Sequence, residues 1–277
     1  MLYNFLTMII FAVLTFSMIF IGKVILDKLT KKHYDADITI EKEDNFAIAL
    51  RRGGFYFGIA IAMTASILPT EGLLQSIIHQ TLNGSLILMF LFMAMWSADK
   101  IVLKAIDNTI ELKKGNISVG LVEAGLYIST GLIAYASFKG EDGPFISGIV
   151  FFILGQIMLF GIGKIYGYLN KDIFNKIYSG NISAGLIVSG IMIAYAIILK
   201  TAICGEFVSW ESDIQSFFVS AVVGILMLLL FANKVIDNLF LPTSKIEKEI
   251  QEDNYAAIFM IVSLKIAIAL IIATVVI

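Results

Sequence analysis

The stretch EDNFA at residues 43–47 occurs in four versions along this chain, and their spacing predicts the fold. The other versions are KGNIS at 114–118, SGNIS at 179–183 and EDNYA at 252–256. Each version follows an apolar stretch that ends near a lysine, and each opens a second apolar stretch rich in small residues. A pair of apolar segments, used four times, therefore organises the protein. The repeated asparagines are Asn45, Asn116, Asn181 and Asn254.

The composition is that of a membrane protein. Of the 277 residues, 58% are hydrophobic and 15% are charged, against roughly 25% charged in a soluble domain. Long windows without charge match the approximately 20 residues that a membrane-spanning helix needs. A soluble helical core would instead need polar outer faces. We predict eight spans, near residues 2–22, 46–68, 83–99, 117–138, 145–164, 182–203, 214–233 and 255–277.

These features predict an all-α, polytopic membrane protein with eight transmembrane helices, built from four parallel two-helix repeats. Because each repeat contains two spans, all four enter the membrane in the same orientation. Two repeats form each of two four-helix units, which we place at residues 1–138 and 139–277.

The distribution of basic residues predicts the orientation in the membrane. Of the 20 basic residues, 17 lie on the side of the repeat asparagines, and the positive-inside rule places that side in the cytoplasm. Both termini then lie outside. The first span lacks the basic start of a signal peptide, so we expect it to be retained.

Several function classes have no support in the sequence. The net charge of −2 gives no sign of nucleic-acid binding. Cys204 is the only cysteine, and His33 and His79 fall on opposite sides of the membrane. We find no metal-ligand cluster, no phosphate-binding glycine motif and no nucleophile with a base, so we expect no metal, no cofactor and no enzyme activity.

The repeat asparagines have two interpretations. Asn is a favourable N-cap residue, which satisfies the first N–H groups of a helix. Alternatively, four converging helix N-termini would form a site for an anion or a lipid head group. Since Ser or Thr would also serve as a cap, the fourfold use of Asn favours a specific hydrogen-bonding role.

Lysines close the odd-numbered spans in all four repeats. We expect them to reach the inner head groups, although four lysines at one level also suggest a cationic ring around a cytoplasmic opening. The candidates for this ring are Lys23, Lys100, Lys164 and Lys234. Small residues such as Gly54 and Gly58 form stripes on the even spans and predict close helix packing.

Three charges lie too deep to be simple interface anchors. Arg52 and Glu123 are each seven residues beyond a repeat asparagine, about 10 Å into the membrane, and we expect them to pair. Lys265 lies about 16 Å deep, where a charge is costly and marks a candidate functional site. Glu123 is the first partner that we assign to it.

The motif at residues 43–50, EDNFAIAL, followed by Gly53 and Gly54, resembles the bacterial membrane family called domain of unknown function 350, the YjfL-like proteins. The stretch at 252–257, EDNYAA, is a second match, whereas the middle copies have Gly-Asn in place of Asp-Asn. The family unit is similar to four spans, so the resemblance implies two tandem units in a bacterial inner-membrane protein. It implies no catalytic residue and no substrate.

Two functions follow as hypotheses. The first is a channel-like pathway or transporter for a small ion or solute, based on the parallel repeats and the buried charges. The alternative is a membrane scaffold or envelope-stress component that binds a cytoplasmic partner through the loop 23–44. The candidate partners are the lipid bilayer, a second copy of the chain and a cytoplasmic protein.

Overall fold

The computed structural model describes residues 2–66, 72–101, 103, 107–139, 144–232, 236–240 and 244–275. Eight of its helices are long and apolar enough to cross a membrane, so the prediction of an all-α fold with eight spans is confirmed. They are α1 (Leu2–Thr30), α3 (Phe46–Met63), α4 (Leu73–Ile101), α6 (Ile117–Phe138), α7 (Phe145–Leu169), α9 (Ile182–Ile203), α10 (Trp210–Met227) and α12 (Tyr255–Ala273).

Each repeat also contains a short helix that the sequence analysis missed. These six-residue helices are α2 (Ala36–Glu41), α5 (Asn108–Lys113), α8 (Ile173–Tyr178) and α11 (Ile246–Gln251). Each lies between the long helix that opens its repeat and the repeat asparagine. A repeat is therefore a long span, a short helix and a second span.

Three odd spans are longer than predicted, and α7 ends at Leu169 rather than near residue 164. The helix α1 continues beyond Lys23 to Thr30, and α4 begins at Leu73 rather than near residue 83. In α1 the extension carries Lys23 and Asp27 one turn apart, at a distance where they form an ion pair. The C-terminal end of α10 is followed by two π-helical segments, Leu228–Ala232 and Ile236–Phe240.

The four even spans form a row in the order α3, α6, α9 and α12. The extensive helix contacts of the described chain join successive members of this row, while the long odd spans pack on its outside. The two inner members, α6 and α9, are the most buried spans because each has a neighbour on both sides. All four repeat asparagines lie at the N-terminal ends of the even spans, on one face of the row, which we call the asparagine face. The C-terminal ends of these spans form the far face.

Small residues set the spacing along the row. We number positions in each even span from its repeat asparagine, so that Gly54 is at +9. A Cβ atom on Gly54 would overlap the backbone of Ala124, at +8 of the next repeat. The same holds for the next two pairs of repeats. Gly125 at +9 lies against Ser189, and Gly190 at +9 lies against Val262, each at +8 of the following repeat. The same packing step is thus used three times.

Candidate functional site

Each repeat asparagine caps its even span. The Oδ1 atom accepts a hydrogen bond from the backbone N–H three residues further on, at 3.0 Å from Asn45 to Ile48 and at 2.7 to 3.3 Å in the other repeats. The interpretation of these residues as N-caps is therefore correct for all four.

The amide group of the same side chain links one repeat to the next. In the first three repeats Nδ2 donates to carbonyl groups at the end of the following repeat's short helix. These bonds run from Asn45 to Leu112 and Lys113 (3.0 and 3.2 Å), from Asn116 to Ile177 and Tyr178 (both 3.2 Å), and from Asn181 to Ile250 (2.9 Å). A Ser or Thr cap has no amide to donate, which explains why Asn recurs.

In the fourth repeat the amide group makes its described bond within the repeat, as Asn116 also does to Oε2 of Glu111 at 3.2 Å. The Nδ2 atom of Asn254 donates to Oε2 of Glu249 in its own repeat, at 2.6 Å. The four asparagines lie along the row rather than around a point, and each caps the N–H groups that a shared anion would need. The geometry therefore supports capping and linkage.

The residue before each asparagine has a left-handed backbone. The φ angles are 53° at Asp44, 83° at Gly115, 88° at Gly180 and 52° at Asp253. Gly adopts this conformation without strain, and Asp is one of the few other residues that tolerates it. This requirement explains why only Asp or Gly precedes the repeated asparagine.

The structure corrects the predicted partner of Arg52. Its guanidinium group pairs with Asp27 of α1 and with Asp37 of α2, rather than with Glu123. Lys23 contacts the same two carboxylates, at 3.0 Å from Asp27 and 2.7 Å from Asp37. These four residues form a cluster of two positive and two negative groups, which we call the clamp because it ties α1 and α2 to α3.

Glu123 pairs with the neighbouring arginine instead. The Nε atom of Arg51 lies 2.7 Å from Oε2 of Glu123, and the two side chains are only 4% and 3% exposed. Another nitrogen of Arg51 donates to the hydroxyl of Tyr34 at 2.8 Å. We call Arg51 and Glu123 the buried pair, which Tyr34 contacts through Arg51. Arg51 was not among the residues predicted from sequence.

The correction has a geometric reason. Successive residues of an α-helix are about 100° apart, so Arg51 and Arg52 cannot face the same neighbour. Arg51 lies on the side of α3 that packs against α6, while Arg52 points toward α1 and α2. The sequence predicted the depth of Glu123, but a shared depth does not specify which of two adjacent arginines faces it.

Asp37 and Tyr34, in the segment 23–44, have shifted pKa values. Hydrogen bonds from Lys23 and Arg52 lower the pKa of Asp37. Burial raises the pKa of Tyr34, which keeps its hydroxyl protonated at neutral pH. Asp37 is therefore ionised at neutral pH and paired with Lys23 and Arg52.

Lys265 is buried, as its depth predicted, with 6% of the residue exposed. It lies one turn beyond Val262, on the side of α12 that packs against α9. The carboxylate assigned to it from the sequence, that of Glu123, pairs with Arg51.

The predicted cationic ring is described only in part. Lys23 belongs to the clamp, where two carboxylates neutralise it together with Arg52. Lys164 is exposed. Lys234 and the side chain of Lys100 lie outside the described residues. Lys23 therefore contributes to a neutral cluster rather than to a positively charged opening.

Two cavities lie toward the far face. One of about 120 Å³ is bordered by Ser137, Ser147, Cys204 and Asp213, and one of about 400 Å³ by Thr64, Tyr135 and Lys200. Their linings include neither the clamp nor the buried pair. Within the described residues, no group of three or more His, Cys, Asp or Glu side chains is arranged to hold a metal ion.

The repeated architecture agrees with comparisons to known proteins. The family model described as Domain of Unknown Function (DUF350) matches residues 1–138 and, a second time, residues 143–276. The chain belongs to this family. It carries two tandem DUF350 units, as the resemblance implied. No solved structure matches the chain.

A curated relative of this DUF350 protein is the UPF0719 transmembrane protein of Aquifex aeolicus (strain VF5). It is 26% identical over 266 residues, which cover 94% of this chain and 97% of the relative. The relative is described as a transmembrane protein, in agreement with the eight spans. This chain is thus a multi-pass membrane protein of an uncharacterised family.

Proposed function

We propose that this DUF350 protein is a scaffold of the bacterial cytoplasmic membrane whose segment 23–44 binds a cytoplasmic protein partner. The observation that carries the proposal is the anchoring of this segment. Asp27 and Asp37 pair with Arg52, and the hydroxyl of Tyr34 accepts a hydrogen bond from Arg51. A loop held by both arginines of α3 presents its remaining groups in a fixed arrangement.

The exposed groups of the segment are charged and of both signs. Lys31, Lys32 and His33 lie between α1 and α2, Glu41 ends α2, and Lys42, Glu43 and Asp44 follow it. This arrangement suits a protein surface that also carries both signs, because complementary charges set specificity and orientation. The positive-inside rule supports placing the segment in the cytoplasm.

The two buried arginines support a scaffold more than a conducting path. A pathway through one chain needs polar groups that face a continuous cavity. In this chain Arg51 is paired with Glu123, and Arg52 with Asp27 and Asp37. Between the even spans, glycine brings backbone against neighbouring residues.

Site-specific photo-crosslinking in cells tests the scaffold. A photoreactive residue in place of Lys32 or Glu43 should give a discrete adduct with a second protein. The same residue at Val208, which is exposed near the far face, should not. Arg52→Gln, which loosens the clamp without changing the exposed groups, should reduce the adduct. An adduct unaffected by Arg52→Gln, or none at positions 32 and 43, contradicts the proposal.

A pathway for a small ion or solute is the second candidate, and Lys265 is the observation that favours it. An amine this deep in a span is costly unless it faces protein or water. Purified protein in planar bilayers should then carry a current that Lys265→Met alters. An absence of current, together with the adducts described above, favours the scaffold.

A further inference from the structure

One side of the last even span has no neighbour in the row. In the first three repeats, positions +2, +9 and +13 are buried and lie on the side that faces the next repeat. In the fourth repeat the same positions are exposed. They are Ala256, Ser263 and Ala267.

The opposite side of the first even span is similarly open. Positions +4, +8, +11 and +15 are buried in repeats two, three and four, where they face the preceding repeat, but only partly buried in repeat one. Those residues of repeat one are Ala49, Gly53, Tyr56 and Ala60. A Cβ atom on Gly53 would meet nothing within 4 Å, whereas its equivalents Ala124, Ser189 and Val262 each contact a glycine. The row therefore ends in two surfaces that complement each other.

The polar groups at these two ends also match. Where repeat three meets repeat four, the backbone N–H of Ser183 donates to Oδ1 of Asp253 at 2.8 Å. Asp44 of repeat one has the same left-handed backbone as Asp253, with φ of 53° and 52°, and is exposed. The equivalent donor in the last repeat is the N–H of Ala256. Only the first and last repeats have Asp at this position, which is an observation separate from the small residues.

We propose that the row continues into a second copy of this chain, with α12 of one copy packed against α3 of the next. The contact repeats the packing of position +9 against position +8 that already joins the repeats, so that Ser263 lies opposite Gly53. The backbone N–H of Ala256 then faces Asp44. Asn254 can then donate to the carbonyl groups of Glu41 and Lys42 of the neighbouring copy, as the other three asparagines do within the chain. In lipid, such contacts between small residues supply the van der Waals packing that holds helices together.

The contact joins two different surfaces, so it is heterologous and either closes into a ring or extends into an open row. This property distinguishes it from a symmetric dimer, in which one surface meets itself. The occupant is a second copy because the chain itself contains three examples of the interface.

Disulfide cross-linking in native membranes tests the assembly in a Cys204→Ala background. Gly53→Cys fits because of the open space beside it, and Ser263→Cys is nearly isosteric and exposed. The variant with both cysteines should give cross-linked dimers or larger species on oxidation, whereas each single variant should not. Leu264→Cys with Gly53→Cys is the matched control, since residue 264 has nearly the same depth but points about 100° away.

If either single variant gave as much cross-linked dimer as the double variant, the contact would be symmetric and the proposal would be overturned. A second measurement is the subunit count of labelled protein in lipid vesicles by single-molecule photobleaching. Assemblies of two or more copies are expected, and Gly53→Leu, which fills the open surface of α3, should reduce them about tenfold or more, equivalent to 1.4 kcal/mol. Monomers at every protein density would show that lipid covers both ends of the row and that the proposal is wrong.

Discussion

Arg51 of α3 and Glu123 of α6 form an ion pair across the first two repeats, with Nε 2.7 Å from Oε2 and both side chains almost fully buried. The pair adds one buried polar contact to an interface otherwise made by small and apolar residues. Two charges at this depth are tolerated because each compensates the other.

Glu123→Gln is expected to destabilise the protein by about 3–5 kcal/mol, because it leaves Arg51 buried without a compensating charge. Combining it with Arg51→Met should recover part of the loss. Combining it with Lys265→Met should not, and the two effects should add. Thermal unfolding in detergent, followed by circular dichroism, measures these three variants and the single variant Lys265→Met. Recovery by Lys265→Met rather than by Arg51→Met would assign Glu123 to the lysine.

Asn181→Asp should lower stability although Asp is as good an N-cap as Asn. The variant keeps the oxygen that caps Ala184 but loses the amide that donates to the carbonyl of Ile250. The expected loss is about 1–2 kcal/mol. Ser209→Asp is the control, since Ser209 is an N-cap whose described role is to accept from the N–H of Ser212. Equal stability of Asn181→Asp and the wild type would refute the link between repeats.

Gly54→Ala and Gly53→Ala should differ sharply although the residues are adjacent in one helix. A methyl group on Gly54 overlaps the backbone of Ala124, while one on Gly53 enters open space. We expect Gly54→Ala to cost about 1–3 kcal/mol through overpacking. Gly53→Ala should be neutral or stabilise by up to about 1 kcal/mol, since Ala favours helix. Equal unfolding temperatures would contradict the packing of α3 against α6.

The clamp should weaken in acid. The pKa of Asp37 is lowered in the folded protein, so its stabilising contribution is complete above the unfolded pKa of about 3.9. That contribution is lost as the pH falls through the lower, folded pKa. The stability difference between the wild type and Asp37→Asn should therefore be constant near neutral pH and shrink below about pH 4. Ile38→Val, at an exposed and uncharged position of the same helix, is the control and should give the same stability difference at each pH.

Sequence reasoning predicted the elements whose signals are local. Eight spans follow from apolar length, and the caps follow from Asn at each entry to an even span. The amide links could not be predicted, because their acceptors are backbone carbonyls of short helices about 65 residues further along the chain. Six residues give too few turns for a clear hydrophobic periodicity, so these helices were missed.

The choice between Arg51 and Arg52 was also beyond the sequence. Both lie near the same depth in α3, and only the rotation of α3 decides which one meets Glu123. That rotation is set by Gly54 and Gly58 against α6. The small-residue stripe did predict close packing, but the positions that oppose each other, +9 and +8, became visible only with both helices in place.

The hydrogen bonds that link successive repeats require a particular residue type at the donor but not at the acceptor. The donor must be an asparagine side chain, whereas the acceptors in the first three repeats are main-chain carbonyl groups, which every residue carries. The short helices ADITIE, NTIELK, IFNKIY and IEKEIQ can therefore differ almost completely while occupying equivalent places. The repeats can thus vary these helices, and with them the surface beside the membrane, while the asparagine and the Asp or Gly before it preserve the link.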